Sequence, residues 1–589
     1  MHSWPWVEWL SSSYDERQAR GLRKGHFKLK MERDINNTTL PWSLFLALLL
    51  LCAPLYPQEG DPHIDQPGID VLHYTFTLDL PDTGRFIQGY AELVVRRYRP
   101  VEKLTLDLIT LRVDTVWVNS KPVRFLRGSA TISIPLKKLT RPSADTLQVS
   151  VKYSGWVHDG LMIQTDEAGR WTGFGDNWPN RGRYWLPSVD HPSDKATVTW
   201  NVRAPSDRKV IANGALLEER RLAETMGLSG KPRTLTRWST SRPIPVYLMV
   251  IAAAPLTSFD LGLTAEGLSE FPPGVRQTVY VAPEIRDYVP GPFVSAGAIV
   301  EFFAGTVGPF PYEKLAHLQS TTRYGGMENA SAIFYNDNAF RERQMTAGLI
   351  AHETAHQWFG DAVTPRSWGH LWLSEGFATY FEKLWVQKSS GDLAFKEEMN
   401  KLRDEILQAR ESHDRPVIDS LQSNLFDLLN VNSYQKGAWT LHMLRSLLGD
   451  SMFFSGIRSY YTRFRHYTAV TDNLREEFER ISGKELGWFF DQWLRRPGYP
   501  IVAARWKYDK KERRVELEIA QGKRFPPYRF PLTVEVLTGT GQSWRASLEI
   551  PAQRLVKVTL SMEIESSPAG VYLDPDVRLL ASMKSEPVE

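Results

Sequence analysis

Cysteine is almost absent from this sequence: the chain has 589 residues and a single cysteine, Cys52. One thiol forms no intramolecular disulfide and supplies at most one metal ligand, so a disulfide framework and a multi-cysteine metal site are both excluded. If an N-terminal segment that includes Cys52 is removed, the mature chain has no thiol at all. Any metal is then held by histidine, aspartate or glutamate.

A strong net charge and a long apolar run are also missing. The net charge is +3 and no basic stripe interleaved with aromatic residues occurs, so we expect no nucleic-acid partner. The apolar run at 42–56 is shorter than the roughly 20 residues of a spanning helix, but it suits the hydrophobic part of a signal peptide. We expect an N-terminal extension with a signal peptide at 1–58, export to the periplasm or cell exterior, and no membrane span in the mature protein. An uncleaved membrane anchor is the alternative.

Three zones with different periodicity follow this segment. Alternating apolar and polar residues predict an all-β N-terminal domain at 66–257. Apolar residues at spacings of three and four predict a mainly helical domain at 258–496. A cluster of Pro and Gly residues then precedes renewed strand patterns, which predict a C-terminal β-sandwich at 497–582. The expected fold is a multidomain α+β protein.

The segment HETAH at 352–356 predicts a metal site. Residues i and i+4 lie about 40° apart around a helix axis, so His352 and His356 are able to bind one ion. Glu353 is rotated by about 100° from His352 and falls beside the ion, where it is placed to take a proton from water. Taken alone, the motif is equally compatible with an exposed helix that carries two surface histidines.

Glu375 completes a ligand set, because it follows His356 after 18 intervening residues at the start of the next helical stretch. Ser374 is expected to cap that helix, which places Glu375 in its first turn. Two imidazoles, one carboxylate and an open position are typical of catalytic zinc, so the pattern predicts about one Zn²⁺ per chain. The alternative for Glu375 is a favourable charge at a helix N-terminus.

The stretch around these ligands resembles a known family. HETAHQWFGDAVTPRSWGHLWLSEGFATYFE at 352–382 is similar to the signature of the M1 zinc aminopeptidases, the gluzincin group that includes aminopeptidase N and leukotriene A4 hydrolase. GGMEN at 325–329 is similar to the exopeptidase motif of that family. The resemblance implies a β N-terminal domain, a thermolysin-like catalytic domain and a closing β-sandwich.

The resemblance also implies roles for residues near the metal. Gly325, Gly326 and Met327 form part of the substrate-binding segment, and Glu328 pairs with the free α-ammonium of the substrate. Without the resemblance, this segment reads as a turn with a solvated glutamate. Tyr434 lies in YQKGA, which is similar to the family segment with the catalytic tyrosine, and its phenol is expected to hold the oxyanion. Packing is the alternative role for Tyr434.

Two assignments remain open at this point. Ahead of RYWLPSVDHPSDKA at 183–196, the family usually carries a Gln or Glu that helps to bind the substrate's amino group. This chain has GDNWPNRG there, so Asp176 and Asn177 are the candidates. Glu382 lies two helical turns after Glu375 and is either a hydrogen-bond acceptor for a ligating imidazole or a surface charge.

The sequence therefore predicts an exported zinc aminopeptidase that acts on peptides with a free N-terminus. A thermolysin-like endopeptidase is the first alternative, because the HETAH site alone permits it. A non-catalytic peptide-binding protein on the same fold is the second. The presence of all three metal ligands and of Glu353 argues against the second.

The assignment of Glu353 as the base is tested by Glu353→Gln. The variant keeps the shape of the side chain but accepts no proton, so we expect zinc to stay bound while turnover falls by about 10² to 10⁴-fold. Zinc content and kcat are the measurements. Near-normal turnover would assign proton transfer to another residue.

Overall fold

A computed structural model describes residues 66–136, 146–223 and 232–588, and the predicted extension and signal peptide at 1–58 lie outside this part of the chain. The chain is a multidomain α+β protein with a β-rich N-terminal domain, a helical central domain and C-terminal β-sheets. Within the described ranges, no helix is long and apolar enough to cross a membrane.

The N-terminal domain is built from strands, and its largest sheet runs in the order β13-β14-β11-β1-β2-β8-β4-β5, with β15 paired to β11. Two smaller sheets have the orders β12-β16-β10-β9 and β3-β7-β6. Alternation along a strand places Leu147, Val149 and Val151 of β8 in the core. The strands are β1 Ile69–Asp79, β2 Phe86–Arg97, β3 Lys103–Asp107, β4 Arg112–Val118, β5 Lys121–Val123, β6 Leu126–Arg127, β7 Thr131–Pro135, β8 Thr146–Trp156, β9 Leu161–Thr165, β10 Trp171–Gly175, β11 Lys195–Pro205, β12 Lys209–Ala212, β13 Ala215–Arg221, β14 Arg233–Ser239, β15 Ile244–Pro245 and β16 Ile251–Ala254.

The central domain opens with a five-stranded mixed sheet in the order β17-β18-β19-β21-β20. β19 is parallel to both of its neighbours, and all of its residues are buried, as expected for a strand covered on both faces. Among the described residues, β20 pairs only with β21, and it forms one edge of the sheet. The strands are β17 Thr257–Thr264, β18 Val275–Val281, β19 Leu315–Ser320, β20 Gly326–Met327 and β21 Ala332–Asn336.

The rest of the central domain is mainly helical. The longest of them, α4, contains a kink at Gly391, whose φ of 90° is strained for residues with a side chain. A short parallel pair, β22 Thr364–Pro365 and β23 Thr468–Ala469, joins two loops. The helices are α1 Ala296–Val307, α2 Asp337–Arg341, α3 Ala347–His356, α4 Trp372–Gln408, α5 Arg410–Asp414, α6 Gly437–Leu448, α7 Asp450–Phe464, α8 Thr471–Ser482 and α9 Gly487–Leu494.

The C-terminal domain has two antiparallel-rich sheets, in the orders β28-β25-β24-β30 and β27-β26-β29. β30 pairs with β24 and extends past residue 582, which was the predicted end of this domain. The strands are β24 Ile501–Asp509, β25 Arg514–Gln521, β26 Phe530–Thr538, β27 Ser543–Ile550, β28 Leu555–Thr559, β29 Pro568–Leu573 and β30 Ser582–Pro587.

A partly buried lysine connects the N-terminal domain to the loop that follows α3. The ammonium of Lys195, at the start of β11, donates hydrogen bonds to the carbonyls of Asp361 and Ala362, each at 2.9 Å. It also lies 3.4 Å from the carbonyl of Tyr467. Hydrogen bonds from a charged donor are stronger than neutral ones, so this contact fixes the loop against the N-terminal domain.

Two glycines allow α4 and α6 to meet backbone to backbone. A Cβ atom placed on Gly376 of α4 would lie 2.9 Å from backbone atoms of Gly437, the first residue of α6. A Cβ atom placed on Gly437 would lie 3.0 Å from the Cα of Gly376. The segment before α6 carries Tyr434, so this close crossing sets the position of that tyrosine relative to Glu375 at the start of α4.

Replacing Gly437 by alanine tests this crossing. We expect Gly437→Ala to lower the free energy of unfolding by about 1 to 3 kcal/mol, because the added methyl group overpacks a backbone contact. Gly305→Ala is the control: Gly305 lies inside α1 with open space around it, so the same change is expected to stabilise by about 0.5 to 1 kcal/mol. Denaturant unfolding followed by circular dichroism measures both. Equal stability of parent and Gly437→Ala would contradict the steric argument.

Candidate active site

Helix α3 carries His352, Glu353 and His356. The helix begins after Thr346, whose side-chain oxygen accepts a hydrogen bond from the Leu349 amide at 3.1 Å. It ends at His356, shortly before Gly360, which has a φ of 120°. Glu353 and His356 are buried, and His352 is partly buried.

The first turn of α4 brings Glu375 to the two histidines. The Nε2 atoms of His352 and His356 lie 3.2 Å apart. Oε2 of Glu375 lies 3.6 Å from the first nitrogen and 3.3 Å from the second. The three predicted ligands therefore converge on one point, with all donor atoms within 4.8 Å of one another.

Ser374 does not cap α4, so that prediction was wrong. The helix starts at Trp372, two residues earlier, and Ser374 is buried inside its first turn. Its hydroxyl lies 3.0 Å from Nδ1 of His356, which is also 3.1 Å from the carbonyl oxygen of Phe359. These acceptors engage the nitrogen remote from the metal position and orient the ring, which leaves Nε2 free to bind a cation.

The carboxylate of Glu382 lies next to the other ligating histidine. Its Oε2 atom is 3.5 Å from Nδ1 of His352, and its Oε1 accepts a hydrogen bond from the ammonium of Lys383 at 2.7 Å. Lys383 in turn contacts Glu398 at 3.0 Å. Each histidine thus has a polar neighbour on its Nδ1 side.

The two glutamates nearest to the histidines differ in their ionisation. Burial raises the pKa of Glu353 to about 7, because a carboxylate is poorly solvated inside the protein, and the charges of His352 and His356 oppose this rise. Burial also acts to raise the pKa of Glu375. The charge of His356 and the hydrogen bonds that Glu375 makes with both histidines outweigh this effect and lower the pKa to about 2. Environments that separate two carboxyl groups in this way suit one as an anionic ligand and the other as a proton acceptor.

Glu328 lies close to Glu353 and His356 of α3. A carboxylate oxygen of Glu328, one of Glu353 and a ring nitrogen of His356 lie within 4.8 Å of one another. Glu328 is only 6% exposed, and burial raises its pKa. Gln357, which follows the HETAH motif, donates to the Glu328 carbonyl at 2.8 Å and accepts from the Ser331 amide at 2.8 Å. The amide of Gln357 thus attaches the GGMEN segment to α3.

Gly326 and Met327 form β20, the edge strand, and Gly325 directly precedes it. A Cβ atom on Gly326 would lie 2.1 Å from a carboxylate oxygen of Glu353. The lack of a side chain at this position therefore gives room to Glu353.

Tyr434 is located in a single π-helical turn, Asn432–Lys436, immediately before α6. Its ring is stacked against that of His352, with centroids 6.1 Å apart and an interplanar angle of 12°. Burial raises the pKa of Tyr434 well above its usual value, with a further contribution from the negative charge of Glu375. The phenol is therefore a neutral hydrogen-bond donor at the edge of the metal position.

Neither candidate for the N-domain amino-group ligand offers a free polar group. The amide of Asn177 is buried, donating to the Met249 carbonyl at 2.7 Å and accepting from the Trp185 indole at 2.8 Å. Asp176 is fully buried, and its carboxylate lies 2.7 Å from the guanidinium of Arg181. The contacts of Asn177 lie within the N-terminal domain, whereas Asp176 also lies 3.8 Å from the guanidinium of Arg323 in the central domain.

Comparisons with known proteins agree with this geometry. The model of the Peptidase M1 N-terminal domain matches residues 71–248, and the model of the Peptidase family M1 domain matches residues 296–493. Together they cover more than half of the chain, including every residue placed at the metal position. The chain belongs to peptidase family M1.

Relatives of this M1 family member come from all domains of life. The Tricorn protease-interacting factor F2 of Thermoplasma acidophilum is 27% identical over 81% of this chain and 59% of its own length. The glutamyl aminopeptidase of Rattus norvegicus is 26% identical over 66% of this chain and 42% of its own length. The chain thus spans about half the length of these curated relatives. The crystal structure of the M1 zinc metallopeptidase from Deinococcus radiodurans is 26% identical, covers 74% of this chain and 95% of its own, and has a TM-score of 0.63.

Zinc is the cofactor of this M1 site, and the residues present fit it. Ligands that bind zinc tetrahedrally at about 2.0 to 2.2 Å lie about 3.3 to 3.6 Å from one another. The measured separations among the donor atoms of His352, His356 and Glu375 are 3.2, 3.3 and 3.6 Å. Three protein ligands leave the fourth position open, as catalytic sites require.

Sequence reasoning missed Ser374 and Gln357 as supports of this M1 site. Both directly adjoin a recognised position, Glu375 in one case and His356 in the other. A helical wheel through HETAH carries no information about what faces Gln357, because its partners, Glu328 and Ser331, lie more than 20 residues earlier in the chain. Of the two, only Ser374 could have been recognised from the sequence, since a serine next to a metal ligand suggests a local hydrogen bond.

Gly326→Ala tests the space reserved for Glu353. The added methyl group would collide with the carboxylate, so we expect kcat to fall by about 10-fold or more while zinc remains bound, because 1 Å misplacements near a reacting group are costly. Zinc content and kcat in parent, Gly326→Ala and Glu353→Gln are the measurements. Full activity of Gly326→Ala would show that the carboxylate needs no such space.

Proposed function

We propose that this chain is a zinc-dependent aminopeptidase, which hydrolyses the N-terminal residue from peptides. The observation that carries the proposal is the buried carboxylate of Glu328, which shares a 4.8 Å cluster with Glu353 and His356. A buried carboxylate so close to the reacting position favours a substrate that brings a positive charge to it. The free α-ammonium of a peptide is such a charge.

Glu353 is the proton acceptor in this proposal. When bound, zinc would supply Lewis acidity for the scissile carbonyl and acidify a water. A pKa of about 7 allows the Glu353 carboxylate to take a proton from that water and later to deliver it to the leaving amine. The nearby Gly326 leaves the carboxylate free to face the substrate.

In this proposal, the substrate binds along the edge strand β20. Its outer edge has no strand partner among the described residues, so a peptide is able to add there through main-chain hydrogen bonds. Glu328 directly follows β20. A peptide whose α-ammonium meets Glu328 has only its first peptide bond near Glu353, which restricts cleavage to the N-terminal residue.

In this proposal, the phenol of Tyr434 stabilises the oxyanion in addition to the metal. Its raised pKa keeps the phenol protonated at neutral pH, so it donates rather than repels. The stacking on His352 holds the ring beside the metal position. A donor placed where negative charge develops stabilises the transition state more than the ground state.

We also propose that the protein is exported and that its substrates are free-N-terminus peptides outside the cytoplasm. The support for export is the apolar run at 42–56, which has the size of a signal-peptide core and lies outside the described residues. Relatives named aminopeptidases, including the probable aminopeptidase 1 of Saccharolobus solfataricus, support the choice of peptides as substrates.

Glu328→Ala tests the anchor for the substrate's amino group. We expect kcat/KM for aminoacyl amides with a free amine to fall by an amount equivalent to about 2 to 5 kcal/mol, because a buried charge pair is lost. N-acetylated amides, which carry no such charge, should be poor substrates of the parent and no worse with the variant. The measurement is kcat/KM on matched free and acetylated substrates, before and after removal of zinc by a chelator.

The outcome also decides between exopeptidase and endopeptidase. Equal cleavage of free and acetylated peptides by the parent would reject the role of Glu328 and support a thermolysin-like endopeptidase. Full activity after complete zinc removal would reject the metal mechanism. Binding of peptides without any hydrolysis would support a non-catalytic protein on the same fold.

A further inference from the structure

A buried turn, residues 328–332, connects Glu328 to strand β21, and it is named the anchor turn. Ser331 in this turn has a φ of 62°, a left-handed conformation that is uncommon for residues other than glycine. Ser331 is only 1% exposed. A residue in such a conformation is held there by the structure around it. The path of the chain next to Glu328 therefore depends on the contacts that Ser331 and its neighbours make.

The N-terminal domain supplies two of these contacts, both from the residues that directly follow β12. The side-chain amide of Asn213 donates to the Ala330 carbonyl at 2.7 Å and, within its own domain, to the Leu248 carbonyl at 2.8 Å. The backbone amide of Gly214 donates to the hydroxyl oxygen of Ser331 at 2.8 Å. The end of β12 is thus attached to the anchor turn.

Lys314, directly before β19, joins the same two segments through a charged group. Its ammonium donates to the Ser331 carbonyl at 2.9 Å and to the Ala212 carbonyl at 3.0 Å. It also lies 3.4 Å from the Ser331 hydroxyl and 5.0 Å from the ring centre of Trp238. Hydrogen bonds from a charged donor are stronger than neutral ones. Lys314 therefore fixes the anchor turn against the N-terminal domain, while Gln357 fixes it against α3.

We propose that Lys314 is a positioning residue for recognition of the substrate's amino group, and that the N-terminal domain takes part in this recognition through the anchor turn. The inference rests on the proposed aminopeptidase function and adds a residue to it. Lys314 touches no substrate atom in this scheme. It keeps the carboxylate of Glu328 beside Glu353 and His356, and attraction between this carboxylate and an ammonium weakens as their separation grows.

This role differs from a direct one by the side chains of the N-terminal domain. Asp176 and Asn177, the candidates for a direct ligand, are engaged in other contacts. Lys314 and the segment 212–214 act on the backbone that carries Glu328. A change at Lys314 should therefore affect ligands with a free amine and spare those without one.

Two zinc-binding inhibitors that differ only in the amino group test this role in the zinc-loaded full chain. Leucine hydroxamate carries the ammonium, and 4-methylpentanohydroxamate lacks it. We expect the parent to bind leucine hydroxamate more tightly. Lys314→Met should raise its Ki by about 10-fold while the Ki of the amine-free compound changes by less than about 2-fold, because only the first depends on the position of Glu328. Lys314→Arg keeps a charged donor and should regain part of the loss.

Two further variants accompany this measurement. Ser331→Ala removes only the hydroxyl that accepts from Gly214, so it remains informative if Lys314→Met does not fold. We expect it to weaken leucine hydroxamate selectively, by about 2- to 5-fold. Lys195→Met is the matched control, because Lys195 also joins the two domains through carbonyl groups but contacts Asp361 and Ala362 instead of the anchor turn. Its ratio of the two Ki values should equal that of the parent.

The outcomes separate this inference from the proposed function. Equal binding of the two hydroxamates by the parent would reject Glu328 as the amino-group anchor and overturn both. A preference for the amine in the parent, with an unchanged ratio in Lys314→Met and Ser331→Ala, would overturn this inference alone. Equal losses for both inhibitors, or the same change of ratio in Lys195→Met, would show a general structural role and overturn it as well. Zinc content is measured in every variant.

Discussion

The approach of Glu375 on α4 to His352 and His356 on α3 is the contact on which the rest of the structure depends. It gathers three ligand groups within 4.8 Å in a largely buried position. Burial of such groups without a partner is costly, whereas a divalent cation makes the same arrangement favourable. The remaining hydrogen-bonding capacity is met by neighbours, with Ser374 on one imidazole and Glu382 near the other. The metal site and the crossing of the two helices are therefore one structural unit.

Glycines set the distances around this unit. Gly326 gives room to the Glu353 carboxylate, and the Gly376–Gly437 contact lets α4 and α6 cross at backbone distance. A methyl group at either place would move a catalytic group outward. Hydrogen bonds also fix distances around the site. Gln357 joins the GGMEN segment to α3, and Lys195 joins the N-terminal domain to the loop after α3. The precision of the site thus comes from contacts between elements that are remote in sequence.

The order of the three zones and the set of metal ligands could be predicted from the sequence, because both depend on local patterns. Strand alternation and helical spacing are visible within ten residues, and HETAH plus a distant glutamate is a chemical requirement of zinc. Ser374 shows the limit of local reasoning: a serine near a helix start suggests a cap, but the helix begins at Trp372 and the hydroxyl faces His356. The edge position of β20 was equally inaccessible, since sheet order depends on pairing over long separations.

By itself, the sequence determined which atoms are available: two imidazoles one helical turn apart, an adjacent carboxylate, a third ligand on the next helix, and no thiol in the region that carries them. The tertiary structure alone decided which of these atoms meet. It placed carboxylate oxygens of Glu328 and Glu353 within 4.8 Å of each other. It also engaged Asn177 and Asp176 in contacts with other groups of the protein. The reason is physical: residue types and spacing specify chemistry and local conformation, whereas packing between distant segments specifies distance, burial and charge compensation.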